Sequence, residues 1–289
     1  VRTANDHVPF YIADREGLYQ DQGMEVVVHL VPSNTEIIEA LQRGDFQVGA
    51  VPVTTAIAAI DRGSQLRIVA MTGRASDGVL VRADSGIRTW ADLRGKRIAT
   101  IKASILDVLL RLALEENGID PEQDVELLYF QKLGDMISAL KTGQVDATSN
   151  TEPFMTDAER QGWGYIVGYY SDQWPDHPCC VVLAREDFLQ EHPQDAEAIL
   201  RVHIEAVERS LRDPAYTAEV IVQYLEAFDT ELVEESLSPD KMRVDYHLDV
   251  AEIIRMAELM YQQGLLENEP GAVEFVDLGP LTAAIEDIE

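Results

Sequence analysis

One grammar runs twice through the first part of this chain: a strand-like apolar run, a polar turn, an amphipathic helix, and a glycine that stops it. Residues 8–22 read as a helix ending at Gly23, followed by a strand from Glu25 to Val31. Asn34 opens a helix through Gln42 that Gly44 ends, and Phe46 to Ala50 is strand-like again. Val53 to Asp61 is the next helix, stopped by Gly63, and Leu66 to Met71 the next buried strand. A short polar side chain at a helix start takes up free amides, and glycine enters the left-handed turn past its end. Strands alternating with helices specify an α/β fold whose sheet is parallel or mixed and covered on both faces.

The order then restarts. Lys96–Ile101 is a strand, Ser104–Asn117 a helix before Gly118, Asp124–Phe130 a strand, Asp135–Thr142 a helix before Gly143, and Val145–Thr148 a strand. The octets beginning at Ala40 and Ala139 share Ala, Leu and Gly at matching places. We therefore expect two similar α/β lobes. The apolar runs Gly78–Arg82 and Cys180–Ala184 bracket the second lobe and read as a two-strand hinge. This places residues 1–78 and 184–289 in lobe 1 and 79–183 in lobe 2. Beyond Arg185 the sequence turns acidic and helical, with no clear strand. Leu200, Ile204, Val207 and Leu211 fall on one helical face, as do Ile253, Met256, Met260 and Tyr261. That helical tail is expected to pack on lobe 1.

Charge narrows the partners. The formal net charge is −29, from 52 acidic against 23 basic residues. Binding to nucleic acid or to anionic lipid draws on clustered Lys and Arg, so neither partner is expected. No apolar stretch approaches the roughly 18 residues of a membrane span. The two cysteines are adjacent, which excludes a disulfide framework. The sequence carries no charged n-region followed by an apolar stretch; a leader peptide, where the gene encodes one, is expected to lie outside this chain. The sequence holds no nucleophile elbow, H-E-x-x-H, Walker loop or C-x-x-C, and no histidine pair at metal-ligand spacing.

In open α/β sheets, ligands meet the loops that leave strand ends and enter helix N-termini. In lobe 1 those loops carry Asn5 and His7, Ser33 and Asn34, and Pro52 and Thr54; in lobe 2 they carry Lys102 and Ser104, and Asn150, Glu152 and Phe154. Lys102 and Ser104 put a cation, a hydroxyl and backbone donors at one helix start; equally, Ser104 is a plain cap and Lys102 a solvated charge. Asn150 and Glu152 offer bonds to ligand donors, or serve the turn and the first helical turn. Phe10, Tyr11 and Phe154 stack on a flat ligand or fill the core. His177, Cys179 and Cys180 crowd soft ligands into one short segment. Three readings stay open there: two small buried thiols, a ligand contact or vicinal disulfide with Cys179 at the cleft, or metal binding completed from elsewhere in the chain. Neither a cofactor nor a resident metal is expected.

Pro9-Phe10-Tyr11-Ile12-Ala13, Glu16-Gly17-Leu18-Tyr19 and Gln22-Gly23-Met24-Glu25-Val26 resemble the opening of one branch of ABC-transporter solute-binding proteins, which serves nitrate, taurine, aliphatic sulfonates, riboflavin and thiamine-pyrimidine precursors. Gly44–Gly49, Trp90–Lys96, Thr151–Phe154 and Asp187–Leu189 before His192-Pro193 follow in the family's order. The resemblance covers about residues 8–210. It implies a periplasmic-binding-protein fold of the second type and capture of a small anionic or heteroaromatic solute between the lobes by hinge closure. It also implies a monomer that passes its solute to ABC permease subunits, as a periplasmic protein or cell-surface lipoprotein rather than an enzyme. The family's binding loops fall at Asn5–Tyr11, Pro32–Asn34, Pro52–Thr54, Lys102–Ser104 and Asn150–Phe154. Lys102-Ala103 and Pro178-Cys179-Cys180 depart from its pattern. Two other classes share the fold: an enzyme resembling the thiamine-pyrimidine synthases or menaquinone-pathway enzymes, and a receptor's sensory domain.

Overall fold

The computed structural model describes residues 1–272 and 274–288. Its strands are β1 (Val48–Pro52), β2 (Leu66–Ala75), β3 (Asp77–Arg82), β4 (Arg97–Thr100), β5 (Glu126–Tyr129), β6 (Ala147–Thr151), β7 (Gly164–Tyr169), β8 (Pro178–Arg185) and β9 (Met242–Arg243). The chain divides into two compact units. Unit 1 comprises Val1–Arg74, Pro178–Leu237 and Arg243–Glu289; unit 2 comprises Ala75–His177 and Ser238–Met242. Among the described residues no helix is long and apolar enough to cross a membrane.

Unit 1 is built on a sheet of order β1-β8-β2-β9, with β8 antiparallel to both of its partners β1 and β2. A strand flanked on both sides and covered on both faces has no polar positions, which is why Cys179 to Ala184 are all buried. Unit 2 has the order β5-β4-β6-β3-β7, parallel through β5, β4 and β6 and antiparallel where β3 meets β6 and β7. The α/β class is as the alternation specifies, with mixed pairing and a helical C-terminal region. The two runs read as hinge strands are the interior strands β3 and β8 of separate sheets. The chain passes between units just ahead of each, at Arg74–Ala75 and His177–Pro178.

Local signals place most helices. Val53–Asp61 forms as expected, and Ile105–Glu116 is buried most of the way round, at every position from Ile105 to Leu110 and at Ala113 and Leu114. Five expectations change. The helix Asn34–Arg43 is capped by Ser33, whose Oγ accepts from Glu36 N at 3.2 Å, and not by Asn34. The expected strand Glu25–Val31 has no ladder, although residues 24–29 alternate between half-buried and exposed. β7 was not foreseen. Its glycines read as turn signals, but Gly164 is required by packing, since a Cβ there would stand 2.5 Å from Ala158 Cβ. Leu211 and Tyr261 are 52% and 43% exposed: each lies at the end of its helix, where the apolar stripe has left the core. The acidic tail also contains a strand, β9, and its residues Ser238–Met242 group with unit 2.

The tail is tied to unit 1 by polar staples as well as by apolar faces. Asp61, at the end of its helix, accepts from Glu267 N at 2.9 Å and Asn268 N at 3.1 Å. Ile68 pairs with the tail through Ile68 N to Phe275 O at 2.9 Å and Asp277 N to Ile68 O at 3.0 Å.

Candidate functional site

In unit 1 a short 3-10 turn, Asn5–His7, lies buried against the ends of β2 and β8. Thr72 Oγ1 donates to Asp6 O at 2.6 Å, and Asn5 Nδ2 donates to Ser236 Oγ at 3.3 Å. Cys179 Sγ donates to Asp6 Oδ2 at 3.5 Å and stands 3.8 Å from Cys180 Sγ. Both cysteines are buried and neither is in a disulfide. Gly73 makes room for this turn, because a Cβ at that position would come within 2.7 Å of the Asp6 side chain. Opposite Cys180 in the β1 ladder, Pro52 caps the helix Val53–Asp61, and Thr54 follows with a buried hydroxyl that makes no hydrogen bond in the protein. His7 Nδ1 lies 2.9 Å from Arg2 O, while its Nε2 is buried without a partner. Burial holds the His7 imidazole far below the ordinary histidine range, at about 3, so it acts as a neutral hydrogen-bonding group.

In unit 2 the end of β6 carries the corresponding chemistry. Asn150 is fully buried; its Oδ1 accepts from Thr151 N at 2.9 Å and its Nδ2 has no acceptor among the described residues. Glu152 is buried too, with Oε1 accepting from Tyr169 OH at 2.5 Å and Oε2 from Thr156 N at 3.1 Å. Burial pushes its carboxyl above the ordinary value, and the Tyr169 and Thr156 bonds oppose that shift. Lys241, on the segment that joins this unit from the tail, donates from Nζ to Thr156 Oγ1 at 2.8 Å, and its carbonyl accepts from Ser76 N at 2.9 Å. Thr100 Oγ1, at the end of β4, is a further buried hydroxyl without a partner.

The sequence model of the NMT1-like family matches residues 2–225. This chain belongs to the NMT1-like family. It is 28% identical to the nitrate import ATP-binding protein NrtC of Synechocystis over 223 residues, which covers 70% of the chain but 33% of NrtC. The chain thus spans about one third of that relative. Among solved structures it is similar to the periplasmic nitrate-binding protein NrtA of Synechocystis, at 16% identity and TM-score 0.85, covering 100% of this chain and 87% of NrtA. It is also similar to the periplasmic aliphatic sulphonate-binding protein SsuA of Escherichia coli, at 21% identity and TM-score 0.79, covering 93% of this chain and 87% of SsuA. At these identities the structural likeness establishes the fold, which is that of periplasmic binding proteins.

Within this NMT1-like chain the expected site residues separate by role. Asn5, His7, Pro52, Thr54 and Cys179 gather in unit 1 with Asp6, Thr72 and Gly73, which sequence reasoning had not singled out as binding residues. Phe10 packs on His203 at 5.3 Å between ring centroids, and Tyr11 stacks on Tyr224 at 4.1 Å while its hydroxyl holds Arg2 O and Ala4 N. Both rings are core. Ser33 and Asn34 start their helix, as described. In unit 2, Asn150 and Glu152 stand together, and Phe154 is half-buried at the start of the helix Phe154–Arg160. At the Lys102–Ser104 turn the amide aimed at the helix start is already used, since Ala103 N donates to Asp107 Oδ2 at 2.9 Å. Ser104 Oγ donates to Ile101 O at 2.6 Å, and the exposed Lys102 Nζ sits 5.7 Å from the Tyr129 ring centroid. The buried Asp107 carboxylate behind that turn also accepts from Arg111 Nε at 3.2 Å. His177 is buried in unit 2 with Nε2 3.6 Å from Asp77 Oδ2, and the group with metal-ligating spacing is Asp6, Cys179 and Cys180.

The depressed histidines carry a pH signature. His7 and His203, held by burial at about 3 and about 4, take up protons on unfolding below the ordinary histidine value of about 6.5. Stability is therefore expected to fall as pH drops from about 6.5 toward 4. Urea midpoints at pH 7 and pH 5 test this, and equal midpoints would contradict it.

Proposed function

We propose that this chain is the solute-binding part of an ABC importer working outside the cytoplasm, and that it acts by binding, with no catalytic step. Its solute is a small anionic or heteroaromatic organic molecule, which it releases to membrane permease subunits, and it works as a monomer. Membership of the NMT1-like family supports this, together with the nitrate import and nitrate- and sulphonate-binding proteins that the chain is similar to. The observation that carries it is the pair of buried donors, Thr54 Oγ1 in unit 1 and Asn150 Nδ2 in unit 2, that have no acceptor among the described residues. Buried polar groups are nearly always bonded, so each calls for an acceptor from outside the chain. Oxyanions, sulfonates and the carbonyls of a pyrimidine or flavin all supply one. The net charge does not exclude an anion, because charges farther than about 8 Å away are screened at physiological salt.

A melting screen against nitrate, bicarbonate, taurine, alkanesulfonates, pyrimidines and riboflavin tests the reading. A solute at about 100 times its Kd adds about 2.7 kcal/mol, which raises Tm by several degrees in a chain of this length. Thr54→Val and Asn150→Ala are expected to weaken the hit roughly 10-fold each, the equivalent of one hydrogen bond of about 1.4 kcal/mol. No shift with any of these solutes, or wild-type affinity in both variants, sinks the proposal.

A further inference from the structure

We infer that Asp6, Cys179 and Cys180 form a three-ligand site for a thiophilic divalent cation, with zinc as the representative ion. Neighbouring side chains on a regular strand point to opposite faces of the sheet, so two adjacent cysteines should diverge. Here they converge because the ladder is irregular. Opposite β2, Cys180 pairs with Gly73 and Pro178 with Arg74, so Cys179 is the extra residue of a bulge. A bulge redirects the side chain it carries. Gly73, facing the bulge, leaves the space into which the Asp6 carboxylate reaches from the other end of the sequence.

The distances are those of metal coordination. Two thiolates each about 2.3 Å from a tetrahedral zinc stand about 3.8 Å apart, and a thiolate and a carboxylate oxygen at about 2.0 Å stand about 3.5 Å apart. The structure has 3.8 Å between Cys179 Sγ and Cys180 Sγ and 3.5 Å between Cys179 Sγ and Asp6 Oδ2. All three ligand atoms lie within 4.8 Å of one another. Both contacts are hydrogen bonds in the protein as it stands, one between the two sulfurs and one from Cys179 to Asp6, so the three groups are already held at coordination spacing. On metal uptake the proton that Cys179 donates to Asp6 and the Cys180 thiol proton both leave to solvent. Two thiolates and one carboxylate then balance the cation's charge to within one unit, which a buried site requires. Three protein ligands leave the fourth tetrahedral position open. The inference concerns a cation and stands whether or not an organic solute binds.

The test is a titration of the full, reduced, chelator-stripped protein with Co2+, followed by Zn2+ in competition with a chromophoric chelator. A sulfur-to-cobalt charge-transfer band that saturates at one equivalent, and that zinc abolishes, is the expected result. Octahedral binding to the acidic surface gives no such band, so its absence in the wild-type protein overturns the site without any variant. Cys179→Ser should lower zinc affinity by at least about 100-fold, more than loss of an outer-shell partner does. Gly73→Ala keeps all three ligands but occupies the space of the Asp6 carboxylate, and should weaken zinc roughly 10-fold, the scale of a lost orienting contact. Wild-type zinc affinity in Cys179→Ser also overturns the inference. Repeating the organic-solute screen in chelator separates this outcome from failure of the solute-binding proposal.

Discussion

An Arg74→Ala variant is expected to lose about 3–5 kcal/mol of stability, the range found when one partner of a buried ion pair is removed. Arg74 is the last residue of unit 1 before the chain passes to unit 2, and only 5% of its surface is exposed. Its guanidinium donates to Asp245 Oδ2 at 2.5 Å, Glu252 Oε2 at 2.8 Å and His247 O at 2.9 Å. One side chain thus joins β2 to the stretch where the tail re-enters unit 1 and to the helix Val250–Gln262. Removing it takes the guanidinium from Glu252 and leaves Asp245 with the longer Arg243 contact at 3.3 Å and its His247 bonds. The urea midpoint should fall with the slope unchanged.

The loss should also depend on pH in a defined direction. Burial pushes the Asp245 carboxyl up, but hydrogen bonds from His247 and Arg74 outweigh it and hold it below the usual carboxylate range. A depressed acid contributes stability that is complete above its unfolded value, about 3.9, and disappears as pH falls through the lower folded value. Without Arg74 the His247 bonds remain but its hydrogen bond and charge are lost, so the Asp245 carboxyl moves up and the charged form is stabilised less. The gap between wild type and variant should therefore be widest near pH 7 and narrow below pH 4. The same gap at pH 3.5 and pH 7 would show that Arg74 acts through packing rather than charge.

Leu80→Ala should cost about 2–5 kcal/mol, the range of buried leucine truncations. Leu80 is at the middle of β3, opposite Thr148 on β6 and Ile166 on β7, and is completely buried. Its Cδ1 fills space beside Gly164, 3.0 Å from where a Cβ there would sit. That glycine has no side chain with which to collapse into the hole, and Ala158 prevents its backbone from moving inward. The cavity should persist, which places the cost in the upper part of the range. Trp90, Trp163 and Trp174, the three tryptophans of the chain, all belong to unit 2, so their fluorescence reports its unfolding directly. A fluorescence midpoint within 0.5 kcal/mol equivalents of wild type would mean that the core repacks, contrary to this account.

Much of the fold was legible because its signals are local. The helix Val53–Asp61 begins after Pro52 and ends before a glycine that takes the left-handed turn, and every term in that decision lies within a few residues. The buried strands β3 and β8 announce themselves as continuous apolar runs. What the runs do was less legible. A run of valines looks the same as a hinge or as the middle strand of a sheet, because its neighbours are supplied by segments about a hundred residues away. The strand expected at Glu25–Val31 has the right composition and alternation, and only the absence of a paired ladder makes it a loop. Conversely, β7 pairs with β3 despite its glycines, of which Gly164 is demanded by packing against Ala158 and Gly168 by packing against Trp90.

The sequence by itself determined the alternating α/β order, the acidic helical tail and the candidate turns at Asn5–His7, Pro52–Thr54 and Asn150–Glu152, since chain-local propensity and capping settle these. Only the tertiary structure decided that Tyr11 is core, that the amide of Ala103 is already bonded to Asp107, and that Arg74 joins the tail to β2. It also decided that Asp6, and not His177, meets the two cysteines. The physical reason is direction. A residue's place along the chain follows from local preference, but where its side chain points depends on register, and one bulged residue opposite Gly73 turns Cys179 toward a carboxylate that sequence distance had hidden.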